Sequence, residues 1–256
     1  MTEFCKIMSQ SENENEIEVA DGVFVRRRTF LIGGLSSTLL GGLMSSIPLR
    51  KVFAQSDTFS YEQFLSLANP LAKSLVGDTS TEGQDQYLHS LAAIAARIKT
   101  VPEPVAWNDS TQSFKPGTDI GFTPGGDGFT VLHWRMAPNT QIRLHRHDYG
   151  NVVTIGLGGD ARVENYEIAD NDQDYIPGKS FRVRKTVDQQ LTPGNINLVS
   201  LDRNYIHGFT AGPDGAHGLD ITTRIRPKPD HGTPYLSVSS NAADEARQIY
   251  EAEWEE

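Results

Sequence analysis

Leu144-His145-Arg146-His147 is the stretch on which the reading of this chain turns. On a β-strand, residues at i and i+2 point to the same face of the sheet. His145 and His147 therefore present two imidazoles side by side. A third, in Ile206-His207, follows on a later strand-like run and can close over them. Three neutral imidazoles suit a divalent transition metal such as Fe(II), Zn(II), Ni(II) or Cu(II). No carboxylate stands where a fourth ligand is expected, and that absence matters as much as the histidines do.

Working outward, short β-rich runs separated by turn residues follow one another at roughly ten-residue spacing, the pattern of a sandwich or barrel. The runs are 130–135, 141–147, 152–155, 161–166, 181–184, 196–201, 205–210, 219–226 and 235–238. Turn signals lie between them, among them Gly158-Gly159-Asp160, Pro193-Gly194 and Pro213-Asp214-Gly215. Before these runs the period is helical. A first helix is predicted over 58–76, opened by a Ser60/Gln63 capping box, with Phe64, Leu67, Leu71 and Leu75 recurring and Pro70 expected to kink or split it. A second is predicted over 84–99, with Leu88, Leu91, Ala92, Ala95 and Ile98 on one face. Both are read as covering one side of a sheet. A short helix from Asn241 through Tyr250 is expected to close the chain, with a solvated acidic end over 251–256.

The segment 139–158 resembles the first cupin motif, which runs Gly, five residues, His-x-His, three or four residues, Glu, six residues, Gly. His145, His147 and Gly158 match with the right spacing; Asn139 and Asn151 stand where the opening Gly and the Glu belong. Pro193-Gly194 followed by His207 resembles the second motif. His207-Gly208-Phe209-Thr210-Ala211, then Leu219-Asp220-Ile221 and Pro227, is similar to the C-terminal half of thiol dioxygenases of the cysteamine dioxygenase and plant cysteine oxidase type. Leu144–His147 with Leu157, Gly159 and Tyr166 matches that family's earlier strand. The likeness covers about 129–238.

The resemblance implies a mainly β, cupin (double-stranded β-helix, jelly-roll) fold; with the helices read above, the expected architecture is that barrel with N-terminal helices and a short C-terminal helix. It implies Fe(II) held by His145, His147 and His207, and a dioxygenase that converts a small or N-terminal-cysteine thiol and O2 to a sulfinic acid. Asp220 takes the place of the family's acid that supports a ligand ring. The family's tyrosine beside a proline pair is absent at Arg226-Pro227, and Tyr235 is the candidate for its role. A cysteine–tyrosine crosslink of the mammalian cysteine dioxygenase kind is impossible in a mature chain without cysteine. The alternatives are another cupin metalloenzyme, such as an enol or diol dioxygenase or a three-histidine zinc hydrolase, and a non-catalytic ligand-binding module.

Neighbouring positions carry further candidates. Arg143 is i−2 from His145. It is either an inward clamp for a substrate carboxylate or, after a strand irregularity, an outward arginine paired to an acid. Tyr205 and Phe209 flank His207 at i−2 and i+2, as pocket lining or as core aromatics. His133, one strand upstream, is the best placed of the remaining histidines. Asn151 is read as a hydrogen-bonding residue near the metal.

Arg26-Arg27-Arg28 precede Thr29-Phe30-Leu31 and a Gly/Ser-rich apolar run to Ile47, then Val52-Phe53-Ala54. This order resembles a twin-arginine export signal with cleavage after Ala54. It implies the twin-arginine export machinery as a partner, a periplasmic destination and no stable membrane anchoring after cleavage; the alternative is an uncleaved anchor formed by the apolar run from Phe30 to Pro48. The organisation read is signal 1–54, helical segment 55–110, cupin barrel 111–240 and C-terminal helix 241–256. Six basic and six acidic residues fall in 1–54, leaving 17 and 27 of the chain's 23 and 33, so the mature part keeps a net charge of −10. An acidic chain without a basic patch is a poor nucleic-acid partner. Cys5, the only cysteine, lies in the signal, which excludes disulfides, cysteine nucleophiles and thiolate ligands from the mature protein.

Overall fold

The computed structural model describes residues 16–19, 23–26, 58–109, 117–170 and 174–255. The expected export signal lies outside these, apart from one antiparallel pair, β1 (Glu16–Val19) with β2 (Val23–Arg26).

Helix α1 (Tyr61–Gly77) opens on the expected box: Gln63 N–H donates to Ser60 Oγ at 3.2 Å and Ser60 N–H donates to Gln63 Oε1 at 2.9 Å. Pro70 does not split it into two elements. The ring sits on the exposed face, while Tyr61, Phe64, Ala68, Ala72 and Leu75 are buried one stripe away from the predicted one. Burial of that stripe offsets the missing hydrogen bond. Helix α2 (Thr81–Ala95) starts earlier than predicted because Ser80 caps it, its Oγ accepting from Gly83 N–H at 3.1 Å. No helix among the described residues is long and apolar enough to cross a membrane.

The rest is β, as the cupin resemblance implies. The strands are β3 (Trp107–Asp109), β4 (Thr118–Thr123), β5 (Phe129–Met136), β6 (Gln141–Arg146), β7 (Gly150–Ile168), β8 (Ser180–Leu191), β9 (Ile196–Val199), β10 (Ile206–Arg224), β11 (Leu236–Asp244) and β12 (Ile249–Trp254). They form one curled antiparallel sheet in the order β11-β12-β8-β7-β10-β5-β4-β3, with β6 also paired to β10 and β9 to β7. Two pairs of predicted strands have merged into β7 and β10, each of 19 residues. The glycine signals at 158–160 and 213–215 face each other across this pair. Gly159 and Gly215 take positive φ, and the register shifts between Ala211 and Ala216. The long strands therefore bulge instead of breaking.

The C-terminal helix is overturned: residues 236–254 form the β11–β12 hairpin. Ala252 and Trp254 are buried while Glu251 and Glu253 are exposed. That period of two, which buries Trp254 against Phe181 at a ring separation of 4.6 Å, outweighs a capping signal at Asn241.

Strand alternation fixes which residues face which side. Val131, Val153, Ile155, Leu219 and Ile221 pack on the helices. Their neighbours Trp134, Thr154 and Asp220 turn to the inside of the curled sheet, where Trp134 stacks on Phe209 at 5.6 Å.

Candidate metal centre

His145 on β6 lies directly opposite His207 on β10. His147 follows the end of β6 and stays in place through its backbone N–H, which donates to Tyr205 O at 2.8 Å. The Nε2 of His147 is 3.1 Å from that of His145 and 2.9 Å from that of His207. All three ligand atoms lie within 4.8 Å of one another, and among the described residues no acid joins the group. The trio predicted from the sequence is thus brought together.

These separations test the fit of a metal. With bonds of about 2.1 Å, ligand nitrogens at right angles stand about 3.0 Å apart, and at a tetrahedral angle about 3.4 Å apart. The two separations from His147, 2.9 and 3.1 Å, each suit a pair of nitrogens that share one metal ion. Without a cation His147 Nε2 would donate to one neighbour and set its ring against the other. A metal ion between the three resolves this.

The other ring nitrogens decide the tautomers. His145 Nδ1–H donates to Arg143 O at 2.9 Å, which makes Nε2 the unprotonated nitrogen that can ligate. That carbonyl is available because β6 bulges: His207 pairs with His145, but Phe209 pairs with Ile142. Gly208 makes the bulge possible. A Cβ there would meet Ile142 O at 2.9 Å and Leu144 N at 3.0 Å, both backbone atoms. His207 is fully buried, and the Asn197 amide lies 3.4 Å from its Nδ1. An amide presents either end, and its oxygen end accepts Nδ1–H when Nε2 binds metal. Burial pushes His147 down to about 4, so its ring is neutral at physiological pH.

The other candidates fall differently. The same bulge breaks the i−2 relation, so Arg143 does not share the inward face of His145. It is half-exposed, pairs with Glu255 and stacks 4.3 Å over the Tyr235 ring. The inward carboxylate clamp is therefore corrected to the outward, acid-paired alternative. Tyr235 forms a backbone bridge with His145 and its ring centroid is 6.0 Å away. Burial raises its hydroxyl to about 12, with Arg143 opposing in part, so the phenol keeps its proton. Asp220 faces inward, but it accepts from Thr154 Oγ1 at 2.6 Å and Trp134 Nε1 at 3.3 Å. The place beside His207 Nδ1 that the resemblance gave to an acid holds the Asn197 amide.

Tyr205 is a core aromatic whose hydroxyl accepts from Ile168 N–H at 2.8 Å. Phe209 lies edge-on to His207 at 4.8 Å and lines the site. Asn151 and His133 both turn to the other side of the sheet. Asn151 is opposite Thr223, which bonds Tyr87 of α2. His133 bonds Thr123 Oγ1 at 2.7 Å, and burial lowers its pKa. Their position one residue out of phase with Thr154 and Trp134 removes both from the histidine cluster.

Sequence reasoning passed over Asn165 and Asn197. Both lie on predicted strands at positions where alternation allows an inward side chain, and an amide at such a position was the available signal; the structure buries both.

No family model and no curated protein matches this chain. Solved structures similar to it in part include the coconut allergen cocosin (16% identity, TM-score 0.35, 49% of this chain and 30% of that one). KdgF from Halomonas sp. is another (14%, 0.34, 47% and 89%), and an oxalate oxidase a third (11%, 0.37, 50% and 60%). The match spans under a third of the cocosin chain.

Proposed function

We propose that this protein is an Fe(II)-dependent dioxygenase that converts a small or N-terminal-cysteine thiol and O2 to the sulfinic acid, R–SH + O2 → R–SO2H. The observation that carries the reading is a three-histidine cluster without a carboxylate, with ligand separations of 2.9 and 3.1 Å. His145, His147 and His207 would hold the ion. Bound iron would supply a Lewis acid that retains its full charge, since all three donors are neutral, and that favours an anionic sulfur donor.

The remaining work belongs to the chain. The Arg143 carbonyl and the Asn197 amide hold two rings in the ligating tautomer. Phe209 and Val163 make an apolar wall that excludes water. Tyr235 brings a protonated phenol next to His145. Supporting the family assignment are the motifs around His145 and His207. The reading includes twin-arginine export with cleavage after Ala54 and periplasmic action, supported by the order of residues 26–54. Export in the folded state would let the site fill in the cytoplasm, where the weakly binding Fe(II) competes with less Zn(II) and Cu(II).

The test is anaerobic reconstitution of the mature chain with Fe(II), followed by O2 uptake and sulfinate detection by mass spectrometry. Substrates are cysteamine, cysteine, 3-mercaptopropionate and a peptide with N-terminal cysteine. Turnover of at least one, lost in His207→Ala, is expected. Turnover of none overturns the proposal. Zinc in protein isolated from its own compartment, with no activity gained on adding iron, would favour the hydrolase instead.

A further inference from the structure

Across the sheet, His145 on β6, His207 on β10 and Asn165 on β7 form one row: His207 is directly opposite both of the others. Directly paired residues share a face, so Asn165 stands on the metal-facing side next to His207. It is fully buried. Its Nδ2 lies 3.4 Å from Asn204 O, a carbonyl that only accepts, and this sets the orientation of the amide. Its Oδ1 is buried and receives no hydrogen bond. A buried carbonyl oxygen left without a donor is costly and calls for a partner that the folded chain does not supply.

Asn151 makes the contrast. Its amide is also buried without partners, but it faces the helices, where nothing points to a ligand. Asn165 stands beside a metal ligand, with Phe209 and Val163 in the next row of the inward face. On the opposite side of the cluster, Arg143 is turned outward and engaged with Glu255.

We propose that Asn165 Oδ1 is a substrate-binding acceptor that takes a hydrogen bond from an N–H or O–H donor on a thiol bound at the histidine cluster, and so selects thiols that carry a donor near sulfur. This rests on the thiol reading of the site. No bond is made or broken in the step; a donor proton of the ligand meets an oxygen that otherwise has none. Asn165 is thereby a specificity residue that touches substrate.

The experiment uses the mature chain loaded with Co(II), whose thiolate charge-transfer band reports binding without turnover. Cysteamine, 2-mercaptoethanol and ethanethiol are titrated against wild type, Asn165→Leu and Asn165→Asp. Cysteamine's amine can also bind the metal, so the informative quantity is the change on substitution. Asn165→Leu should weaken cysteamine and 2-mercaptoethanol about tenfold and ethanethiol less than about twofold. Asn165→Asp, which keeps an acceptor, should retain cysteamine binding, and this second variant guards against a folding defect in the first. Equal weakening of all three thiols, or no change in any, overturns the role of Asn165 while leaving the thiol reading intact. A Co(II)-loaded wild type that binds none of the three overturns the thiol reading itself, and this inference with it.

Discussion

Gly208→Ala probes the link between backbone packing and the metal. The added Cβ would stand 2.9 Å from Ile142 O, 3.0 Å from Leu144 N and 3.1 Å from Leu144 Cδ2. Two of these are main-chain atoms of the β6 bulge, so no rotamer change relieves them. Restoring ordinary contact at 3.4 Å from the 2.9 Å contact requires β6 to withdraw by about 0.5 Å, since an interior this dense does not absorb strain locally. β6 and the residue after it carry two of the three ligands. Metal–nitrogen bonds tolerate about 0.2 Å, so the trio would no longer meet at one point without further adjustment. Overpacking of this kind costs about 1–3 kcal/mol of stability, and displaced ligand support lowers metal affinity about 10- to 100-fold. Urea unfolding of the metal-free chain measures the first, and Co(II) competition against a chelator measures the second. A Gly208→Ala variant with Co(II) affinity within about twofold of wild type would refute the reasoning that this close approach sets the His145–His207 distance.

The pH dependence of the metal-free chain follows from His147. Its folded pKa, about 4, is below the ordinary 6.5, so the unfolded chain binds more protons between those values. Stability therefore rises with pH through that window, and about 3 kcal/mol present at pH 7 is lost as pH falls from 6.5 to 4. His147→Gln should flatten that part of a urea-midpoint profile; an unchanged slope would count against it. Asp220→Ala should destabilise by about 3 kcal/mol by stranding the Trp134 and Thr154 donors, yet leave Co(II) affinity within about threefold, because the Asn197 amide lies at His207 Nδ1. A far larger loss of affinity would return Asp220 to the metal. Arg143→Ala removes a surface ion pair worth about 0–1 kcal/mol and should leave the KM of a carboxylated thiol such as cysteine within about threefold. A hundredfold rise would restore the inward clamp.

Much of the site was legible because its signals are local. The i, i+2 spacing of His145 and His147 survives any register, since both lie beyond the bulge. The context of His207 places it on the strand that pairs with them. Misreadings arose where a short-range signal met a long-range one. Glycines at 158–160 and 213–215 read as turns until their mutual pairing made them bulges. Pro70 reads as a break until a buried stripe holds its helix together. Asn241 reads as a helix cap until Trp254 finds a core.

Alone, the sequence determined the three-histidine constellation, its lack of a carboxylate, the capping of the first helix and the mainly β class. These depend on residue type and spacing along the chain. Only the tertiary structure decided which face each side chain takes. One inserted residue at the β6 bulge turned Arg143 outward and gave its carbonyl to His145. One step of alternation turned Asn151 and His133 away and Asn165 in. The physical reason is the period of two: strand pairing assigns faces, a single bulge reverses the assignment, and bulges are set by contacts such as that between Gly208 and Ile142, which no local pattern records.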